Sequence, residues 1–229
     1  MTPAEVGAAL VAAVRDAVAR GEADVPVPAD VAVSCTGAGV YESPVALRLG
    51  IDPRMIAGRV GGEVTSRGFV RVRVEPGALV GRIDDAYGMA AVPPGGWAEW
   101  PRTFDNPGFA VRYAYARAGW VGRWAEGLGV RAGAPVGYLG EELELLKALG
   151  ELPGRAAQAE RECDARPLAG HLERLAGAYH DVHERCPALP KGDEKPGAVH
   201  AARVGLAGAA RTALGNGLKM IGETPRERV

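Results

Sequence analysis

The stretch AYGMAAVPPGGWAEWPRTF, residues 86–104, follows neither a two-residue nor a 3.6-residue hydrophobic period. Its Pro93-Pro-Gly-Gly96 core cannot continue a helix or a central strand, because proline lacks the amide donor and glycine loses the most backbone freedom on ordering. The chain is therefore predicted to divide there, into residues 1–87 and 105–229 with a Pro/Gly linker over 88–104. Trp97 and Trp100 make this linker unlike a flexible spacer and predict that it is pinned to a domain surface.

The first half mixes helices and short strands. Val6, Leu10, Val11 and Val14 recur at helical spacing behind Thr2 as N-cap and Pro3 at the first helical position. A short extended run is expected at Val31–Cys35, a helix over Ser43–Leu49 and another from Asp52-Pro53 to about Gly61. Gly68-Phe-Val-Arg-Val-Arg-Val74 alternates with period two, the pattern of a half-buried strand. From Asp105 onward nearly everything reads as helix. One is capped by Asp105 or Asn106 with Pro107 in its first turn and runs to about Leu128; others are expected at 140–149, 153–164, 168–186 and 196–220. The fold class is α+β: a small N-terminal α+β domain followed by an all-α antiparallel bundle.

Composition narrows the function classes. A net charge of −1 excludes a generally basic nucleic-acid binder. Neither half is a basic arm: 10 Lys+Arg stand against 12 Asp+Glu before Asp105, and 17 against 16 from there on. Any RNA binding must come from local patches. Cys35, Cys163 and Cys186 are scattered, with no C-x-x-C, and fit a reducing cytosol. No window approaches 18 uncharged apolar residues, and the apolar run at the start is interrupted by Glu5, Arg15 and Asp16, so a soluble, cytoplasmic protein is expected.

Several side-chain patterns carry two readings. Alternation puts Val70, Val72 and Val74 on one strand face and Phe69, Arg71 and Arg73 on the other. The outer face is either a solvated edge or a surface that stacks a base and holds phosphates. On the helix opening the second half, Tyr113, Arg117, Trp120 and Trp124 follow at three- and four-residue steps beside the stripe Arg112, Ala116, Gly119 and Arg123. This is either a tightly packed bundle helix or a nucleotide grip. His180, His183 and Cys186 raise the question of zinc, but each three-residue step turns the row by about 60° around the axis, and no fourth ligand is evident, so structural histidines are expected. No Walker, dinucleotide, nucleophile-elbow or H-E-x-x-H motif occurs, and Glu141, Glu142 and Glu144 read as a charged helix face.

In order, these pieces resemble an arginyl-tRNA synthetase without its middle. Gly39-Val-Tyr-Glu-Ser-Pro-Val-Ala-Leu-Arg-Leu49, Pro53-Arg54-Met-Ile-Ala57 and Gly68-Phe-Val-Arg71 are similar to that family's N-terminal additional domain. Asp105-Asn-Pro107, Val111-Arg-Tyr-Ala-Tyr-Ala-Arg117, Glu184-Arg-Cys-Pro187 and the final Glu227-Arg-Val229 resemble its DALR-type anticodon-binding domain. The family's catalytic signatures, a His-x-Gly-His run and a Lys-Met-Ser-Lys-like loop, have no counterpart around His171, His180, His183 or His200, and Lys219-Met220 falls in the final helix. The 17 residues between Tyr87 and Asp105 are too short for a doubly wound domain.

The resemblance implies a non-catalytic tRNA-binding protein, an accessory factor for arginine tRNA, with no cofactor and no metal. Its implied tRNA-facing residues are Phe69, Arg71 and Arg73 in the first half, and Arg112, Tyr113, Ala116, Arg117, Trp120, Met220, Arg228 and Val229 in the second. Val40 and Pro44 depart from the family's usual Asp and Asn, Arg71 from Asn and Arg112 from Gln; Asn to Arg exchanges base-edge hydrogen bonding for phosphate attraction. Two alternatives follow from the same residues: a regulatory module that docks a synthetase or biosynthetic protein and has lost RNA binding, or the tRNA-binding subunit of a split synthetase. Neither DNA nor a membrane is an expected partner.

Overall fold

Thr2 starts the first helix with a reciprocal cap. Its hydroxyl accepts from the Glu5 amide at 3.2 Å, and its own amide donates to the Glu5 carboxylate at 2.7 Å. The computed structural model describes residues 1–228, and the chain falls into two compact units, Met1–Pro76 and Gly77–Val229.

In the first unit α1 (Pro3–Ala19) is followed by the hairpin β1 (Ser34–Gly37) and β2 (Val40–Ser43), the helices α2 (Val45–Leu49) and α3 (Pro53–Val60), and the strands β3 (Glu63–Val64) and β4 (Val70–Arg73). The sheet is antiparallel, in the order β1-β2-β4-β3. Tyr41, Val70 and Val72 face inward and pack with Val6, Leu10 and Val14 of α1 and Ile56 of α3, so one sheet face is core, as the alternation predicts. The expected strand at 31–35 lies later, at 34–37, because its pairing partner is β2, a strand hidden in the sequence by the short Gly-Val-Tyr-Glu run. The segment Ser43-Pro44 ends that strand, and the helix begins only at Val45.

A 3-10 stretch, Pro76–Arg82, leads into the second unit, built from α4 (Pro107–Gly127), α5 (Glu141–Glu162), α6 (Arg166–Arg185) and α7 (Ala198–Met220). Leu145, Leu149 and Leu152 of α5, Leu168, Leu172 and Leu175 of α6 and Leu206, Leu214 and Leu218 of α7 are fully buried, each contributing about 1.5–3 kcal/mol of apolar transfer. α4 meets this core through small residues, Ala114 and Ala118 with Val111 and Val121.

Two helices expected at 140–149 and 153–164 are one. Pro153 lies inside α5 and offers no amide to the Leu149 carbonyl, one turn earlier, yet the Tyr87 hydroxyl donates to that carbonyl at 2.9 Å and the helix continues. Residues 77–104 belong with the bundle. Leu79 joins its core, and the Asn216 side chain donates to the Asp84 and Tyr87 carbonyls at 2.9 and 3.0 Å. The Gly95 amide donates to the Ile221 carbonyl at 2.9 Å, and the Trp97 indole to Glu173 at 2.9 Å. The division between the units therefore precedes 77–87, a stretch grouped above with the first half. Trp97 pins the Pro/Gly segment as expected, whereas Trp100 is 65% exposed.

Candidate functional site

Asn106 shapes the entry to α4 from both sides. Its Oδ1 accepts from the Gly108 amide at 3.0 Å as N-cap, and its Nδ2 donates to the Ala98 and Pro101 carbonyls at 2.8 and 3.0 Å. The segment before the helix is thereby held against its first turn, and Phe104 is set over the aromatic face that follows.

That face is a continuous row. Phe109 and Tyr113, one turn apart, stack at 5.5 Å with ring planes 10° apart, and Phe104 meets both edge-on at 5.7 Å. Trp120 stands edge-on to Tyr113 at 5.9 Å, and Trp124 lies 6.2 Å beyond it. The Arg117 guanidinium sits 5.1 Å over the Tyr113 ring. Phe104 and Trp124, at the two ends, are 59% and 56% exposed, so the row opens to solvent rather than into the core. Beside Trp124 lies an apolar cavity of about 210 Å³ lined by Val121, Tyr179, Val182, His183 and Leu189.

His180 fixes the row from α6. Its Nε2 must carry the proton, since it lies 3.0 Å from the Ala110 carbonyl, which only accepts; Nδ1 then accepts from Arg117 Nη1 at 3.1 Å. Burial holds the His180 pKa below its ordinary value against the pull of the Ala110 bond, and the Arg117 charge adds to the lowering. Burial lowers His183 likewise, helped by Arg117 and His180. Both ring nitrogens of His180 are thus partnered within the bundle, and among the described residues no group of three or more His, Cys, Asp or Glu is placed to hold a metal ion.

The neighbouring stripe of α4 is ion-paired. Arg112 forks onto Glu223 at 2.8 and 2.9 Å, and Arg123 meets Glu227 at 2.7 Å. A cavity of about 350 Å³ beside Arg112 is lined by Trp97, Arg102, Glu223, Arg226 and Arg228. Tyr113, Arg117 and Trp120 are thus brought together, and Arg112 and Arg228 share one cleft. Ala116 and Met220, by contrast, are buried, Ala116 completely, so neither side chain reaches the surface in this structure. Val229 lies outside the described residues.

In the first unit the outer sheet face is not a free cationic surface. Arg71 pairs with Glu42 on β2 and, at 3.2 Å, with Glu63 on β3; Arg73 meets Glu63 at 2.9 Å. The side-chain hydrogen bonds of Arg73 and Arg71 hold the Glu63 carboxyl below the usual range. Phe69 is half-buried in the turn before β4, where its amide donates to Thr65 Oγ1 at 3.1 Å.

The sequence reading missed Phe109, although its position one turn before Tyr113 signals it. The pairing of Glu223 and Glu227 with arginines of α4 gave no signal, because contact across more than 100 residues leaves no local pattern. Among the described residues no helix is long and apolar enough to cross a membrane.

Residues 111–229 match the model of the DALR anticodon binding domain family. An arginine–tRNA ligase of Frankia alni is 38% identical over 133 residues, covering 56% of this chain and 24% of the ligase, so the chain spans about a quarter of that relative's length. The arginyl-tRNA synthetase of Thermus thermophilus aligns at 22% identity and a TM-score of 0.45 over 56% of this chain and 22% of that one. With its second half, α4 through α7, matched by the family model, the chain belongs to the DALR anticodon binding domain family.

Proposed function

We propose that this protein is a non-catalytic relative of arginyl-tRNA synthetase that binds tRNA, an accessory factor for arginine tRNA, through unpaired loop bases stacked on the α4 aromatics. The observation that carries the reading is the row Phe104, Phe109, Tyr113, Trp120 and Trp124, open to solvent at its Phe104 and Trp124 ends and held in order by Arg117 over Tyr113. Base-on-aromatic stacking contributes about 1–3 kcal/mol per base and needs no basic surface, which suits a chain of net charge −1. The cavity beside Trp124 offers an apolar recess at the end of the row.

A second reading, docking of a protein partner, is favoured by the carboxylates that already occupy Arg71, Arg73 and Arg112. Fluorescence anisotropy with arginine tRNA and one unrelated tRNA, for wild type, Tyr113→Ala and Trp124→Ala, separates the two. Selective binding that weakens roughly tenfold or more in each variant supports the tRNA reading. Absent binding, or binding indifferent to both substitutions, removes it in favour of a protein partner.

A further inference from the structure

The segment after α7 lies on α4 as a strap that pairs its two carboxylates, Glu223 and Glu227, with arginines of the helices, while its own Arg226 and Arg228 line the cleft beside Arg112. Glu223 grips Arg112 with both oxygens, and Glu227 takes Arg123 of α4 and Arg211 of α7 together. Arg112 and Arg123 stand on one stripe eleven residues apart, a rise of about 16 Å. Four extended residues, Glu223 to Glu227, cover about 14 Å. The two carboxylates of the strap therefore match the spacing of the arginines, as phosphates a few nucleotides apart on an extended strand would.

The two ends differ in depth. Arg112 and Glu223 keep only 17% and 16% of their side chains exposed, whereas Arg123, Arg211 and Glu227 keep 47%, 41% and 49%. Exposed pairs contribute little net free energy and are screened by salt, so the Glu227 end is the one that another anion displaces first. The Arg211 guanidinium, 5.3 Å from the Tyr115 ring, is held in place with its Nε buried, which leaves its outer edge to face the carboxylate or a replacing anion. A phosphodiester, with the same charge as a carboxylate, fits the forked donors that Glu227 now occupies.

We propose that Arg112, Arg123 and Arg211 form a phosphate track for a single-stranded RNA backbone, and that the strap Glu223–Glu227 masks this track until RNA displaces it from the Glu227 end. The inference rests on the RNA-binding reading above, and it adds Arg123 and Arg211 to the contact surface and two self-competing carboxylates, Glu223 and Glu227, to its control. It also accounts for a local cationic stripe in a chain with no overall positive charge.

The test uses the full chain and a short labelled oligouridylate, which carries backbone and bases but no tRNA fold. Affinity is read by anisotropy across a salt series for wild type, Glu227→Gln and Glu223→Gln/Glu227→Gln. Glu144→Gln, on the exposed face of α5, is a control for the change in net charge. The expected result is binding at least about fivefold tighter in Glu227→Gln than in Glu144→Gln, with a salt slope steeper by about 0.7 for each arginine that becomes engaged. Adding Arg123→Gln to Glu227→Gln abolishes that gain, while Arg123→Gln alone changes wild-type affinity little. Glu227→Gln alone, at the exposed end, keeps the test valid if the double variant melts early. Affinity equal to that of Glu144→Gln, weaker binding, or no oligouridylate binding by any variant overturns the track. The tRNA reading stands or falls separately, on Tyr113→Ala and Trp124→Ala.

Discussion

The hydroxyl of Tyr87 donates to the carbonyl of Leu149, the acceptor that Pro153 leaves without its helical partner. Removing the hydroxyl strands a carbonyl inside the bundle, so Tyr87→Phe is expected to cost about 1–2 kcal/mol. Pro153→Ala supplies the missing amide, and in that background the same Tyr87→Phe change costs less than half as much. Urea midpoints of the four proteins of this double-mutant cycle give the coupling, and additive costs would show that the hydroxyl does not serve this carbonyl.

Stability falls on the acid side through a buried histidine. His171 is fully buried, its Nε2 donates to the Ala148 carbonyl at 3.0 Å and its Nδ1 faces Arg174 at 3.1 Å. Burial first, and the Arg174 charge second, lower its pKa to about 4. A folded-state pKa below the unfolded one means that the unfolded chain takes up the proton first. The full stability is present above about pH 6.5 and is lost as pH falls from there to about 4, by up to about 3 kcal/mol. His180 and His183, both lowered, add in the same direction. Denaturant melts at neutral pH and at successive steps down to pH 4 should trace this loss, and a flatter profile in His171→Asn identifies the group.

Arg71→Ala should leave tRNA affinity within about twofold of wild type, because Glu42, only 14% exposed, and Glu63 already hold the guanidinium, and a phosphate would have to displace both from a part-buried site. Anisotropy checks it beside Tyr113→Ala. A loss at Arg71 comparable to that at Tyr113 would bring the β4 face back into the contact surface.

Gly217→Ala should destabilise the bundle by about 1–3 kcal/mol. A Cβ at this α7 position would overlap the Leu172 side chain, itself fully buried on α6. Thermal melts of this variant beside Gly208→Ala, where a Cβ meets open space, separate the close approach from any general effect of glycine on the helix.

Local signals carried much of the fold into the sequence. The Thr2 and Asn106 caps, the period-two run at Val70 and the helical periods of α4, α6 and α7 all depend on neighbours a few residues apart, and each lies within about two residues of its expected place. What escaped depends on distant partners. β2 was concealed because four residues of mixed polarity become a strand only between β1 and β4. The unbroken α5 was concealed because its proline is compensated by a tyrosine 62 residues earlier in number from the carbonyl it serves. The same division holds for the candidate site. Tyr113, Arg117 and Trp120 are legible from helical spacing, whereas the carboxylates on Arg71 and Arg112 come from other elements and turn apparent free cations into pairs. Ala116 shares the stripe of Arg112 and Arg123, and spacing alone cannot tell that the stripe is covered at Ala116 and open at Arg123.

On the outer sheet face of the first unit, Glu42, Arg71 and Glu63 occupy one rung across β2, β4 and β3. A one-residue slip of β4 would break both ion pairs and, because side chains alternate, turn Val70 and Val72 to water and Arg71 into the core. Charge order and apolar order thus penalise the same mistake, so the rung acts as an alignment key that lets a sheet of very short strands adopt a single pairing.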